Sequence, residues 1–285
     1  LNEITLSNTL DVAQIQRLLD TKLTGIGNRI IYKPVVDSTN SFAMQLARTG
    51  SEEGVVVLTD SQTAGKGRQG RHWVDMAGKN VLSSTVLRPV FPPYQLVMIA
   101  SLAVVQTIAD ICGVEATIKW PNDILIGERK VTGILIETSH DHTGQLVAIL
   151  GIGVNVNGRL RASATDKQTL QAKPELTETA ITLEEACGHV VSREAFIASL
   201  LYQIETRYLA LQQEVRESTA QSHGPISRLI REQWRRHLST LGRTVTVHQG
   251  AKLLSGVAED VNEQGELLLR DLSGTGITIT WGDVN

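Results

Sequence analysis

The stretch SQTAGKGRQGRHW, residues 61–73, puts three glycines (Gly65, Gly67, Gly70) and four basic side chains (Lys66, Arg68, Arg71, His72) into one short run. Glycines let backbone amides come close to a ligand, and guanidinium groups offer paired donors to carboxylates and phosphates. Three chemistries fit such a run: a dinucleotide loop, a nucleic-acid patch, or a clamp on a small anion. The glycine spacing matches GxGxxG, but a dinucleotide loop must open a helix directly after a strand. Here RHWVDMAGKN leads into another turn, and no βαβ unit surrounds it. A Walker A loop needs Ser or Thr after Gly-Lys, and Gly67 stands there. An anion clamp and a plain basic surface loop remain. Trp73 either anchors the far end of the loop as a buried residue or stacks near a ligand.

A second concentration is IKWPNDILIGERKVTGILIE, residues 118–137. Lys119 precedes Trp120-Pro121, with Asn122 and Asp123 just beyond. A lone lysine is ordinarily a solvated charge, but one beside a rigid turn can be oriented. Gly133 permits close approach to a strand. The third feature, GIGVNVN at 151–157, sets small residues among β-branched ones. It makes either a flat floor for a planar ligand or simply a tightly packed sheet.

The elements that must hold these residues follow from hydrophobic period. Ile15, Leu18, Leu19 and Leu23 predict a helix over 12–23. A strand is predicted at 30–32, then a helix through 42–48 with Asp37, Ser38 and Thr39 as caps. GVVVLT (54–59) predicts a buried strand, and NVLSSTVLRP (80–89) alternates like a sheet strand. Residues 94–112 form the strongest helical pattern. Pro121 interrupts regular structure after Trp120. Two short strands are expected around a turn at Gly127–Glu128, and another strand in QLVAILGIGV. The polar run after Gly158 predicts a loop. Helices are expected near 192–217 and 227–241, parted by STAQSHGP. Short strands then run from Gly242 to the end. The expected class is α+β: a mixed or antiparallel sheet flanked by helices, with a small C-terminal β domain. The expected division is an N-terminal helical extension (1–29), a catalytic domain (30–241) and the β module (242–285), which at that size must lean on the main domain.

The chain has 285 residues, 27 basic and 30 acidic side chains, and a net charge of −3, so wholesale nucleic-acid binding is not implied. Its two cysteines, Cys112 and Cys187, form no spaced metal or disulfide pattern, which fits a reducing, cytoplasmic setting. No targeting segment is visible at the start. The apolar run near 96–111 is broken by Ser101, Gln106, Thr107 and Asp110, which predicts a buried helix rather than a membrane span.

Taken together and in this order, DSTN (37–40), GKGRQGRHW (65–73), KWPNDI (119–124), KVTGILIE (130–137) and GIGVNVN (151–157) resemble biotin–protein ligases, also called biotin–[acetyl-CoA-carboxylase] ligases. The likeness runs from about residue 30 to the end, and the C-terminal segment is similar to the family's SH3-like domain. The resemblance implies a catalytic domain like that of class II aminoacyl-tRNA synthetases. It implies ATP-dependent ligation in two steps. Biotin's carboxylate attacks the α-phosphate of ATP, giving biotinyl-5′-AMP and pyrophosphate. The ε-amine of a lysine on a biotin carboxyl carrier domain then takes the biotinyl group and releases AMP.

By the same resemblance, Lys119 touches both the biotin carboxylate and the α-phosphate, Arg68 and Arg71 close over biotin and phosphate, and Mg²⁺ shields the triphosphate. Ser38, Thr39, Asn40 and Gln62 fall in the biotin pocket, Gly65, Lys66 and Gly67 in the loop over it, and Gly133 and Ile134 along its wall. Asn122, Asn155 and Trp73 fall on the ATP side. Lys66 and Gln69 replace arginines common in the family's loop, which removes a rigid fork at each position. The acceptor lysine's proton has three candidate destinations: water, phosphate or Asp123. Monomer and homodimer both stay open. No DNA binding is expected, because about 29 residues before the first strand leave no room for a helix-turn-helix. A lipoate or octanoyl ligase is the enzymatic alternative, and a biotin-binding regulatory protein the non-enzymatic one.

Overall fold

The computed structural model describes residues 9–25, 27–141, 143–160, 179–217 and 224–285. At its centre is a seven-stranded sheet in the order β1-β2-β3-β7-β6-β5-β4. The strands are β1 (Ile30–Val36), β2 (Val56–Gln62), β3 (Val81–Leu87), β4 (Thr117–Lys119), β5 (Asp123–Ile126), β6 (Arg129–His140) and β7 (Leu146–Val154). β1 and β2 pair in parallel, and every other neighbour pair is antiparallel. The described helices are α1 (Val12–Leu18), α2 (Thr39–Arg48), α3 (Tyr94–Cys112), α4 (Leu183–Cys187), α5 (Arg193–Glu217) and α6 (Pro225–Arg236). The α+β class with a mixed sheet is what the sequence pattern predicts. The expected polar loop falls largely on residues 161–178, and most of the STAQSHGP break on 218–223. Both lie outside the described residues.

Parallel pairing of β1 and β2 needs a crossover, which α2 supplies. α2 packs Ala43 and Ala47 against Val57, Val86 and Ile149 on one face of the sheet. On the other face α3 packs against β4, β5 and β6 and against α5 and α6. β3 therefore has no solvent face. All seven of its residues are buried, although its sequence alternates, because Ser83, Ser84 and Thr85 are covered too. α3 is long and apolar enough to cross a membrane, but 67% of its most apolar window is buried inside the fold, as a core helix should be. Gly113, at φ 63°, closes it in the left-handed conformation and returns its N–H to the Ala109 carbonyl.

α1 is shorter than its hydrophobic pattern predicts. Asp11 caps its start by accepting from the Gln14 N–H, but the helix stops at Leu18. Beyond it, the N–H groups of Lys22, Leu23 and Thr24 donate to the buried carboxylate of Glu205 on α5. That side chain satisfies backbone donors that another helical turn would have satisfied internally.

After α6 the chain builds a second, antiparallel sheet in the order β11-β10-β9-β8-β12. Its strands are β8 (Thr244–Gln249), β9 (Lys252–Val261), β10 (Leu267–Arg270), β11 (Gly276–Ile279) and β12 (Asp283–Val284). The module leans on the main domain, as its size requires. Ile118 at the edge strand β4 exchanges backbone hydrogen bonds with His237 and Ser239 in the segment that leads into the module, and the Trp120 indole donates to the Gly265 carbonyl within it at 2.9 Å. This seam brings β12 over the glycine-rich loop.

Candidate active site

The glycine-rich loop leaves β2 and folds back on itself. Lys66 bridges to His72, Gly67 donates its N–H to the Arg71 carbonyl at 2.7 Å, and Trp73 donates to Gly65 at 3.0 Å. The turn is made by Gln69 (φ 54°) and Gly70 (φ 74°). A Cβ on Gly65 would sit 2.6 Å from the Trp73 carbonyl oxygen, so that arm of the loop admits only glycine. A hairpin of this kind opens no helix, which removes the dinucleotide reading.

Beneath the loop lies a cavity of about 250 Å³, a size for a small molecule rather than a polymer. Lys66, Arg68, Arg71 and Lys130 line it, against Asp123 as the one carboxylate in the lining. Each cation already has a partner. Lys66 reaches Glu137 (3.3 Å), Arg68 donates to Asn122 Oδ1 (2.7 Å), Arg71 pairs with Asp283, and Lys130 pairs with Asp123 (2.8 Å). Arg68 also donates to the Gly282 carbonyl at 3.3 Å. Burial pulls the Arg68 guanidinium below its ordinary pKa, against the pull of Asp283 and Asp123. A surplus of half-covered cations makes this cavity a receptor for anions.

One wall is the start of α2. Ser38 occupies the N-cap position but makes no side-chain capping bond. Thr39 donates both its N–H and its hydroxyl to Gln62 Oε1, at 2.8 and 3.1 Å. The Ser84 hydroxyl donates to Thr39 Oγ1 and Asn40 Oδ1, and Asn40 Nδ2 donates to Glu137. Ser38, Thr39 and Asn40 are all buried. This is a fixed set of small polar groups of the kind that reads a polar heterocycle. Gln62 is itself held, because its N–H donates to Asp75 at 3.2 Å. Desolvation raises the Asp75 carboxyl above its ordinary range.

The floor is the pair Gly133 and Gly153, directly opposite one another on β6 and β7. The Trp73 indole lies on it. A Cβ on Gly153 would come 2.7 Å from its ring, and one on Gly133 2.9 Å. The planar group on this flat floor is thus the protein's own side chain. The Lys130 ammonium sits 5.7 Å from the Trp73 ring centroid, on the attractive face of the π system. The Trp73 indole N–H is buried without a hydrogen-bond partner, which is costly unless a ligand completes it.

Most of the sequence-predicted residues meet here: Ser38, Thr39, Asn40 and Gln62 on the wall, Gly133 and Ile134 along β6, and Lys66, Gly67, Arg68, Arg71 and Trp73 in the roof. Asn122 and Asn155 also line the cavity. The Asn122 amide donates to the Ile134 carbonyl at 2.6 Å while its oxygen holds Arg68. Asn155 accepts from Asn80 at 3.2 Å. Gly65 lies in the outer arm of the loop, lining the hollow on its far side.

Lys119, the expected catalytic lysine, is absent from the cavity lining, and Lys130 is present. The register Lys119↔Asp123↔Gly133 puts Lys119 one strand farther out, at the end of β4. Lys130 enters because of a bulge: Ile124 opposes Thr132 while Leu125 opposes Lys130, so Val131 is an extra residue. Strict alternation would turn Lys130 away from the Gly133 face, and the bulge restores it. The Lys130 Nζ lies 3.3 Å from where a Gly133 Cβ would stand. Sequence reasoning also missed Gly282 and Asp283, whose separation in the chain left no local signal.

Residues 32–157 match the biotin/lipoate A/B protein ligase family, and residues 240–285 match the biotin protein ligase C-terminal domain. The biotin--[acetyl-CoA-carboxylase] ligase of Paracoccus denitrificans is 34% identical over 243 residues, covering 84% of this chain and 92% of that protein. The bifunctional ligase/repressor BirA of Bacillus subtilis is 33% identical over 252 residues, covering 87% and 71%. Among solved structures, the Aquifex aeolicus biotin protein ligase in complex with biotin and ATP superposes with a TM-score of 0.71 at 26% identity, covering 91% of this chain and 98% of that one.

Proposed function

The chain belongs to the biotin/lipoate A/B protein ligase family, and from that premise we propose that its cavity joins biotin to AMP and passes the biotinyl group to one lysine of a biotin carboxyl carrier domain. In the first step a carboxylate oxygen of biotin attacks the α-phosphorus of ATP. An O–P bond forms and pyrophosphate leaves. Both reactants are anions, and their repulsion in a half-closed cleft is large. The observation that carries this reading is the Lys130 ammonium, which stands inside the cavity between Asp123 and the Trp73 face, with Arg68 and Arg71 in the roof. Lys130 is the cation placed to neutralise the approach of carboxylate and phosphate and to hold the charge that develops between them. Lys119, one strand outward, adds long-range field.

Biotin's ureido head has donors and an acceptor, and the Ser38, Thr39, Asn40 and Gln62 wall offers both kinds of partner. Asn122 and Asn155 serve the nucleotide side. Among the described residues no cluster of His, Cys, Asp or Glu is placed to hold a metal ion. Mg²⁺ would enter with the triphosphate, whose oxygens suit this hard cation. In the second step the acceptor amine attacks the acyl carbon of the mixed anhydride and AMP leaves. The amine's proton goes to water, to phosphate or to Asp123, the carboxylate of the lining that Lys130 already engages.

The test is biotin-dependent pyrophosphate release in a single turnover. Lys130→Ala should slow it by about 10²- to 10³-fold, and Lys119→Ala by about tenfold or less. The opposite ranking returns the central role to Lys119. Release driven by lipoate and not by biotin moves the substrate to the family's other branch.

A further inference from the structure

Asn80 stands just before β3, is buried, and lies outside the cavity lining. Its side-chain amide touches two groups. Oδ1 accepts the Met76 N–H at 3.3 Å, and Nδ2 donates to Oδ1 of Asn155 at 3.2 Å. A backbone N–H can only donate, so the Met76 contact decides which end of the Asn80 amide is which. Oδ1 faces Met76, and Nδ2 is left for Asn155. The same logic passes one residue on. Asn155 must present its oxygen to Asn80, which turns its own Nδ2 away. Asn155 is buried and lines the cavity, and no hydrogen bond among the described residues engages that Nδ2.

β7 shows which end of the cavity this is. Gly151, Gly153 and Asn155 alternate onto one face of the strand and its continuation, and all three line the cavity. A Cβ on Gly151 would run into Asn40, on the wall assigned above to biotin's ureido head, and one on Gly153 into Trp73. Asn155 is four residues beyond Gly151, about 13 Å at the rise of a strand. The donor therefore stands at the end opposite the ureido wall, where the nucleotide belongs.

We infer that Asn80 is a positioning residue for the nucleotide: it locks the Asn155 amide so that its N–H bonds point into the cavity and donate to an acceptor atom of ATP. This rests on the biotin and ATP reading of the cavity. An unrestrained asparagine amide can turn over and offer either its oxygen or its nitrogen. One hydrogen bond from a buried neighbour removes that choice before the ligand arrives. The ring nitrogens of adenine and the phosphate oxygens are acceptors that the locked amide serves. Adenine's exocyclic amine, a donor, is not served.

Asn80 is itself held by its backbone. Arg193 of α5 donates to the Asn80 carbonyl at 3.2 Å and to Asp60 of β2 at 2.8 Å, and the Asp60 carboxylate also accepts the Tyr32 hydroxyl. The neighbouring Lys79 carbonyl accepts the Asn157 N–H at 2.9 Å, which ties this segment to the chain just past β7. The two amides are thus fixed to the same rigid frame.

The experiment measures the burst of pyrophosphate release from the full chain and reads the half-saturating concentrations of ATP and of biotin. Asn155→Ala and Asn155→Asp should each raise the ATP value about threefold to tenfold, the second because a carboxylate can only accept. Asn80→Ala should raise it about threefold and leave the biotin value within twofold. Added to Asn155→Ala, Asn80→Ala should change the ATP value no further, since it acts only through that amide. Adenosine as a competing ligand separates the two acceptors. Inhibition weakened in Asn155→Ala by the same factor as ATP identifies a ring nitrogen, and unchanged inhibition a phosphate oxygen. Asn80→Ser, whose hydroxyl is too short to reach Asn155, serves the same comparison if the alanine variant does not fold. Wild-type ATP dependence in Asn155→Asp, equal effects of Asn80→Ala with and without Asn155, or a biotin value that rises with the ATP value would each overturn the inference while leaving the ligase reading intact. A wild-type chain that releases no pyrophosphate with biotin would instead defeat that reading, and this inference with it.

Discussion

Arg71, in the glycine-rich loop, forms an ion pair with Asp283, 212 residues away and two short of the last residue described. The contact places the C-terminal module over the roof of the cavity. Arg68 reinforces it through the Gly282 carbonyl. The loop is thus held from outside by a separate sheet, and its cations are oriented before any substrate enters.

The first prediction follows from that contact. The Arg71 side chain is 58% exposed, so the pair adds little to global stability, about 1 kcal/mol at most. Asp283→Ala should leave Tm nearly unchanged. It should loosen the roof, so that water reaches the mixed anhydride and biotinyl-5′-AMP is lost from the enzyme several-fold faster, roughly threefold or more. Adenylate retention at the wild-type rate would show that the module does not hold the loop.

The glycine floor makes a second, sharper case. A methyl group on Gly153 would stand 2.7 Å from the Trp73 ring, closer than any carbon pair tolerates. Gly153→Ala should displace the indole and weaken biotin binding by about 10-fold or more, at about 1–2 kcal/mol of stability. Trp73→Ala removes the obstacle. The double variant Gly153→Ala/Trp73→Ala should then be no less stable than Trp73→Ala alone, a non-additive cycle readable by calorimetry. Simple additivity would mean that the ring and the floor do not compete.

The third concerns pH. Desolvation raises the Asp75 carboxyl above its unfolded value. Such a group favours the folded state at pH below the unfolded pKa, and that contribution is lost as pH rises through the folded pKa. At neutral pH the ionised Asp75 is therefore a burden, tolerated because it accepts the Gln62 N–H. Asp75→Asn should raise Tm at pH 7 and change it less at pH 3. Equal shifts at both pH values would assign the effect to something other than ionisation.

Particular residues show how far sequence could reach. α3 was legible to both ends because nineteen residues of apolar pattern meet a glycine cap, and local signals suffice there. The cavity's wall, roof and floor were legible as motifs. Lys130 was not, because one bulged residue decides which face of β6 it joins. The shortening of α1 was not, because its cause is a carboxylate far along the chain. Pattern reports period, whereas bulges and long-range partners are tertiary events that override it.

That carboxylate gives the last prediction. Glu205 is buried, and its two oxygens accept the N–H groups of Lys22, Leu23 and Thr24 and the Thr24 hydroxyl. Glu205→Ala strands several buried donors at once, which costs about 3 kcal/mol even after partial rehydration. For a chain of this length that lowers Tm by roughly 6–12 °C. Glu205→Gln keeps one acceptor oxygen and should lose about half as much. Glu205 stands outside the cavity lining, so adenylation by either variant should be normal at temperatures where it is folded. The combination to look for is reduced Tm, faster amide exchange at residues 22–24, and unchanged pyrophosphate release. Unaltered exchange there would mean that the turn holds itself, and that α1 stops at Leu18 for a reason other than Glu205.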